Sequence, residues 1–227
     1  MRIGILQTGH APDELLPITG DVAPHFERML DGFGFDFATY SVVDMEFPDS
    51  ITDCDGWLIT GSKFGAYEDL DFIPPLETFI RDVYAADIPL VGICFGHQII
   101  AQALGGKVEK FAGGWSVGRQ TYNWNGETLA LNAWHQDQVT ERPADAQVYA
   151  CSDFCENAAL VYGNRVFTTQ PHPEYGPEFI GGLVEYRGPG IVPDEQLATA
   201  RATLNEPLDN PRLAAQIAKF FKERVLA

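Results

Sequence analysis

Basic side chains are scarce in this sequence: 15 lysines and arginines stand against 32 aspartates and glutamates, a formal charge of −17. A surface that negative repels phosphate backbones and anionic lipid headgroups, which argues against nucleic-acid and membrane partners. Cysteine is sparse too. Cys54, Cys94, Cys151 and Cys155 lack the spacing of a secreted disulfide framework. Cys151 and Cys155 come closest to a pair, but no further Cys/His cluster completes a zinc site. No apolar run approaches the roughly 20 residues of a membrane span, and Met1-Arg2-Ile3-Gly4-Ile5-Leu6 turns polar too soon for a signal peptide. The expected compartment is therefore the reducing cytoplasm. Internal repeats, low-complexity tracts and linkers are missing, and 227 residues suffice for one large core, so a single domain over 1–227 is expected.

What the chain does contain is a rhythm of strands and helices. Residues 3–6, 35–43 and 55–60 read as strands, with 7–20 as a loop. A helix beginning near Asp21 carries Phe26, Met29 and Leu30 on its apolar face and ends at 32–34. Residues 73–86 form another, opened by Pro74-Pro75, because proline is tolerated in a first helical turn. Beyond Gly106 the pattern changes to short strands at 107–111, 117–124, 127–132, 147–151, 158–162 and 165–169. Asn123-Trp124-Asn125-Gly126 and Tyr162-Gly163-Asn164 supply hairpin turns among them. Helices return at 178–186, 194–204 and 211–225, with 188–210 read as a connector between helices rather than a docking surface. The expected fold is α/β: a largely parallel, doubly wound sheet with flanking helices and a mixed or antiparallel edge.

The stretch around which this is organised is 88–106. Leu90, Val91 and Ile93 make a strand buried on both faces, and Ile99, Ile100, Ala103 and Leu104 recur at helical spacing before Gly105-Gly106. Between them lies Gly92-Ile93-Cys94-Phe95-Gly96, a nucleophile elbow with cysteine in place of serine. Such a turn strains the nucleophile's dihedrals and projects its side chain beyond the sheet, and the helix N-terminus favours a thiolate and a developing oxyanion. Alone, the pentapeptide also fits a buried structural cysteine at a strand end.

A nucleophilic cysteine needs a base, and the base an orienting acceptor. Of five histidines, His10 and His25 lie in or beside the N-terminal polar loop, as solvated or locally bonded residues. His97 sits on the elbow helix itself and points along it. His172 follows the apolar run 166–170 within Gln170-Pro171-His172-Pro173-Glu174. Pro173 biases it towards extended dihedrals, so Glu174 faces the same way and can fix the tautomer. A solvated glutamate in a proline-kinked loop is the bland alternative. It weakens once a cysteine elbow lies upstream, because a late strand of a doubly wound sheet can return beside the elbow.

Gly-Ile-Cys-Phe-Gly-His-Gln followed by Gln-Pro-His-Pro-Glu resembles the class I (triad) glutamine amidotransferases, particularly stand-alone proteins similar to the amidotransferase domain of GMP synthase and the γ-glutamyl peptidases. Ile59-Thr60-Gly61-Ser62, Gly114-Trp115-Ser116-Val117-Gly118 and Trp134-His135-Gln136-Asp137 appear in family order, so the resemblance covers essentially the whole chain. It implies a flavodoxin-like amidotransferase fold with Cys94 as nucleophile, His172 as base and Glu174 as its orienter. It also implies an oxyanion hole from the N–H groups of Gly61 and Phe95. Gln98 would help hold the glutamine, and backbone groups near Ser116 and Val117 its amino-acid end. His135 is read as structural or as a partner contact, and His97 stands where many relatives carry methionine.

The implied chemistry is hydrolysis at a γ-glutamyl carbonyl through a Cys94 thioester, with no metal or organic cofactor. One version releases glutamate and donates ammonia to a separate synthase subunit, since no synthase domain follows in this chain. Another is a self-sufficient hydrolase of γ-glutamyl amides or peptides. From a different class comes a non-catalytic binding or regulatory protein on the same fold. Other cysteine-elbow α/β families leave the late His-Pro-Glu and Gln98 unexplained.

Overall fold

The computed structural model describes residues 1–226. The chain begins with β1 (Arg2–Leu6), α1 (Leu16–Thr19), α2 (Val22–Met29), β2 (Asp36–Tyr40), β3 (Gly56–Ile59), α3 (Ile73–Ala85), β4 (Leu90–Ile93) and α4 (Phe95–Ala103). It continues with β5 (Lys107–Lys110), β6 (Ser116–Trp124), β7 (Glu127–His135), β8 (Asp137–Glu141), β9 (Gln147–Cys151), β10 (Ala159–Tyr162) and β11 (Val166–Thr169). Helices α5 (Pro177–Gly182), α6 (Asp194–Ala202) and α7 (Asn210–Glu223) close it.

One nine-stranded sheet runs β2-β1-β3-β4-β11-β10-β9-β6-β7. From β2 to β11 neighbours are parallel; from β11 to β7 they are antiparallel. The expected α/β sheet with an antiparallel edge is what forms. Period-2 alternation explains how β4 is covered on both faces. Val91 and Ile93 join the core formed with Phe26, Leu213 and Ile217 of α2 and α7. Leu90 joins the other core, with Leu76, Ile80, Ile99 and Ile100 of α3 and α4. Each such side chain taken fully out of water contributes about 1.5–3 kcal/mol. Helix α3 shows why its sequence is helical: Ile73, Leu76, Phe79, Ile80 and Val83 are buried at three- and four-residue spacing, with prolines confined to the first turn.

Several elements differ from the sequence reading. Residues 16–19, expected in a loop, form α1, anchored by the buried Leu15 against Gly182. The strand expected to reach 43 stops at Tyr40, and a 3₁₀ turn over Val42–Asp44 tucks Val42 into the core. Strand β7 runs to His135 instead of stopping at 132, and β8, which was not anticipated, follows almost at once. It pairs with β5 in a separate two-stranded sheet, so β5 is not part of the main sheet's edge. Val108 and Val139 face each other there and join the core beside α4, which is what draws the pair off the main sheet. The helix expected over 178–186 is α5 followed by a π-helical turn over Leu183–Arg187. Among the described residues no helix is long and apolar enough to cross a membrane.

Candidate active site

The loops that follow β1, β3, β4 and β11 meet at the carboxyl ends of the parallel strands, where open α/β sheets offer a crevice. At the centre is the turn from β4 into α4. A Cβ at Gly92 would lie 2.5 Å from the Gly96 carbonyl oxygen, and one at Gly96 would lie 2.3 Å from that of Ile59. Only glycine permits strand and helix to approach so closely. Between them Cys94 takes φ 53° and ψ −102°, a conformation of the kind that costs about 1–3 kcal/mol and persists where the surroundings enforce it. They do so here. The Cys94 N–H donates to the Thr169 carbonyl at 2.8 Å, and its carbonyl accepts from the Gln98 N–H at 3.1 Å.

His172 lies just beyond β11 and is held by its own backbone: its N–H donates to the Asn132 carbonyl of β7 at 2.8 Å, an isolated antiparallel bridge. Its Nδ1 is 2.7 Å from Glu174 Oε1, and its ring stacks on Tyr175 with centroids 4.0 Å apart. Both side chains are buried. Burial pulls the pKa of the ring down. The Glu174 carboxylate, and then Cys94, to which the ring also hydrogen-bonds, outweigh this and raise it to about 10. The imidazole thus lies between a sulfur and a carboxylate, as an oriented base should.

Gly61 fills the gap beside them. A Cβ there would sit 3.0 Å from His172 Cε1 and 3.6 Å from Cys94 Cβ. The Thr8 hydroxyl lies 3.0 and 3.1 Å from the Thr60 and Gly61 carbonyls, and Ser62 Oγ donates to the Thr8 carbonyl at 2.7 Å, so the loops after β1 and β3 are stitched together. Among the described residues neither the Gly61 nor the Phe95 N–H donates to another group of the chain. Both remain available to an incoming oxygen.

Cys94 stands where two lobes of a cleft join; Ser62, Lys63, Trp134 and Arg187 also line both. The smaller lobe, about 80 Å³, is bounded by His172, Gly61, Tyr175 and residues 9–12. The larger, about 400 Å³, is bounded by Gln98, His135, Asp137, Trp115 and Tyr67. Gln98 is buried, with its amide nitrogen 2.8 Å from the Asp137 carbonyl and 3.0 Å from Gln170 Oε1. Ser116 and Val117 are not brought to these walls. They line a separate depression of about 380 Å³ with Phe154, Gln196 and Thr199. Their β7 partners, His135 and Trp134, line the cleft instead, because the antiparallel register sets those residues opposite.

The remaining histidines separate clearly. His97 is fully buried with Nδ1 2.8 Å from Thr168 Oγ1, and burial, then His135, holds its pKa down at about 3. His135 is buried in the larger lobe's wall; its Nδ1 is 3.1 Å from the Asp137 carbonyl, its Nε2 has no partner among the described residues, and burial lowers its pKa to about 4. His25 is buried against Phe179 and Tyr175 rather than solvated. His10 borders the smaller lobe, its ring nitrogens 2.8 Å from Asp21 and 2.9 Å from Asp44. Trp134, Tyr175, Lys63 and Arg187 escaped the sequence reading. Trp134 is two residues from Asn132 on an alternating strand and Tyr175 adjoins Glu174, but nothing in the sequence singles out Lys63 or Arg187. Among the described residues no group of three or more His, Cys, Asp or Glu side chains is placed to hold a metal ion.

A cysteine on a strand–helix elbow, facing a histidine–glutamate pair on the neighbouring parallel strand, defines a class of α/β proteins. The chain belongs to the class I glutamine amidotransferase family, whose model matches residues 31–182. It is 32% identical over 177 residues to a glutamine amidotransferase-like protein of Schizosaccharomyces pombe, covering 73% of this chain and 71% of that one. It is 29% identical over 216 residues to γ-glutamyl peptidase 4 of Arabidopsis thaliana, covering 88% and 86%. A solved glutamine amidotransferase structure from Methylobacillus flagellatus shares the fold, with a TM-score of 0.76 at 23% identity over 99% of this chain and 92% of the other.

Proposed function

We propose that the chain hydrolyses γ-glutamyl amides through a thioester on Cys94. The observation that carries this reading is the His172 ring, bonded to Glu174 on one side and to the Cys94 sulfur on the other. The thiolate attacks the γ-carbonyl carbon, and the oxygen takes up charge opposite the Gly61 and Phe95 N–H groups. One such donor is worth about 3–4 kcal/mol in the transition state. As the C–N bond breaks, protonated His172 gives its proton to the departing nitrogen, leaving the acyl group on sulfur. Water then attacks the thioester, His172 takes a proton from it, and glutamate leaves as the C–S bond breaks.

The glutamyl group belongs in the larger lobe, where Gln98 lies; its amino-acid end rests against Trp115, Trp134 and His135 rather than Ser116 and Val117. Lys63 and Arg187 at the rim are exposed, so substrate reaches Cys94 from solvent. This favours a self-sufficient γ-glutamyl hydrolase over a glutaminase that passes ammonia to a separate synthase subunit. The test is glutamate release by the purified chain from glutamine and from γ-glutamyl amides and peptides, beside a Cys94→Ala control. Rapid Cys94-dependent turnover of an amide or peptide is the expected result. Slow glutaminase activity with no preferred amide would point instead to a synthase subunit. Turnover absent, or indifferent to Cys94, would return the chain to the binding-protein reading.

A further inference from the structure

The charges around the cleft are distributed against the character of the molecule. Acidic residues outnumber basic ones by 32 to 15, yet no aspartate or glutamate lines the smaller lobe, while Lys63 and Arg187 do. His10 borders it as well, but its ring is engaged by Asp21 and Asp44. Among the described residues neither Lys63 nor Arg187 makes an ion pair with a carboxylate. The larger lobe is different: Glu68 and Asp137 stand there with Lys110, both signs together, as a zwitterionic glutamyl head requires.

The reaction decides which end of the substrate meets the smaller lobe. His172 must protonate the departing nitrogen, and it lines the smaller lobe and not the larger; Gln98 lines the larger and not the smaller. The leaving group therefore lies on the side that lacks carboxylates. At about 80 Å³, that lobe exceeds the roughly 30 Å³ share of one water-sized molecule, so ammonia alone leaves it mostly unfilled.

Resting on the γ-glutamyl hydrolase reading above, we propose that Lys63 and Arg187 bind a carboxylate on the leaving amine. The preferred substrate is then a γ-glutamyl amino acid or short γ-glutamyl peptide with a free C-terminus. The chemistry is unchanged: the same C–N bond breaks, and the amine departs with the His172 proton. What the cations add is selection, because an arginine fork matches a carboxylate in geometry as well as charge.

The test compares kcat/KM for γ-glutamyl-alanine with that for γ-glutamyl-alanine amide, which differ only in the terminal charge. In the native protein the acid is expected to be preferred by about tenfold or more, equivalent to about 1.4 kcal/mol. The ratio should fall towards one in Arg187→Gln and in the Lys63→Gln/Arg187→Gln pair, recover partly in Arg187→Lys, and shrink at high salt as exposed charges are screened. A native ratio near one would overturn the proposal. So would equal losses for acid and amide in the variants, which would assign the cations to the glutamyl group's own carboxylate. If even γ-glutamyl-p-nitroanilide is not turned over, the hydrolase reading itself fails, and this one falls with it.

Discussion

In the parallel half of the sheet, β3, β4 and β11 are buried at every position. In the antiparallel half, β9 buries only Ala150 fully and leaves Val148 exposed. The parallel strands are covered by helices on both faces and carry Cys94 and His172 at their carboxyl ends. The antiparallel strands form walls: β7 supplies Trp134 and His135 to the cleft and the backbone carbonyl that holds His172. One half sets atomic positions with almost no tolerance, and the other shapes the space around them. Specificity can drift on the walls while the elbow stays fixed.

The sharpest break of this contrast is at Cys94. Cys94→Ala should lower γ-glutamyl amide hydrolysis by about 10⁵–10⁶-fold, as loss of a nucleophile in such a unit does, while thermal melting shows an intact fold. Glu174→Gln comes next, with a loss of about 10³–10⁴-fold expected from the orienter's part in such units. It should also change pH behaviour. Glu174 and Cys94 hold the His172 pKa at about 10, so the protonated ring persists well above neutrality; without the carboxylate the alkaline limb of a kcat/KM–pH profile should move down. The stability sign follows from the same shift. A raised folded-state pKa contributes stability that is complete below the unfolded value of 6.5 and lost as pH rises through about 10. Denaturant titrations from pH 7 to 10 should show the native protein losing more stability than Glu174→Gln.

Packing tests compare the two halves directly. Gly92→Ala places a Cβ 2.5 Å from a backbone oxygen, and overpacking of that kind costs about 1–3 kcal/mol. Val148→Thr on β9 alters an exposed wall and should stay within about 0.5 kcal/mol by chemical denaturation. Similar costs at both positions would undo the contrast. Cys94→Gly should abolish activity yet raise stability by about 1 kcal/mol, because glycine accepts the positive φ without strain.

Much of this was legible in the sequence, for identifiable reasons. Apolar runs bounded by turns located the parallel strands, because burial on both faces leaves no polar position to confuse the pattern. The two glycines of 92–96 marked the elbow, since a close backbone approach admits nothing else. The path of β8 was hidden, as Asp137-Gln138-Val139-Thr140-Glu141 carries a single large apolar residue and its pairing with β5 is a tertiary choice. The two-residue offset from Ser116 and Val117 to His135 and Trp134 as cleft walls depends on register between strands, which a local pattern does not encode. Lys63 and Arg187, far apart in the chain, become neighbours of one cleft only through the fold.

The bond from His172 to Asn132 also bears on solubility. Strand β7 ends the strand order and would present a row of unpaired backbone groups to any passing chain, the hazard of every sheet edge. Its Asn132 carbonyl is taken by the His172 amide, and two residues earlier Asp209 occupies both the N–H and the carbonyl of Ala130. The segment that delivers the histidine therefore also seals the border of the sheet. Slow hydrogen exchange at the His172 amide would report that seal, and a variant that loosens it should aggregate through β7 as well as lose its base.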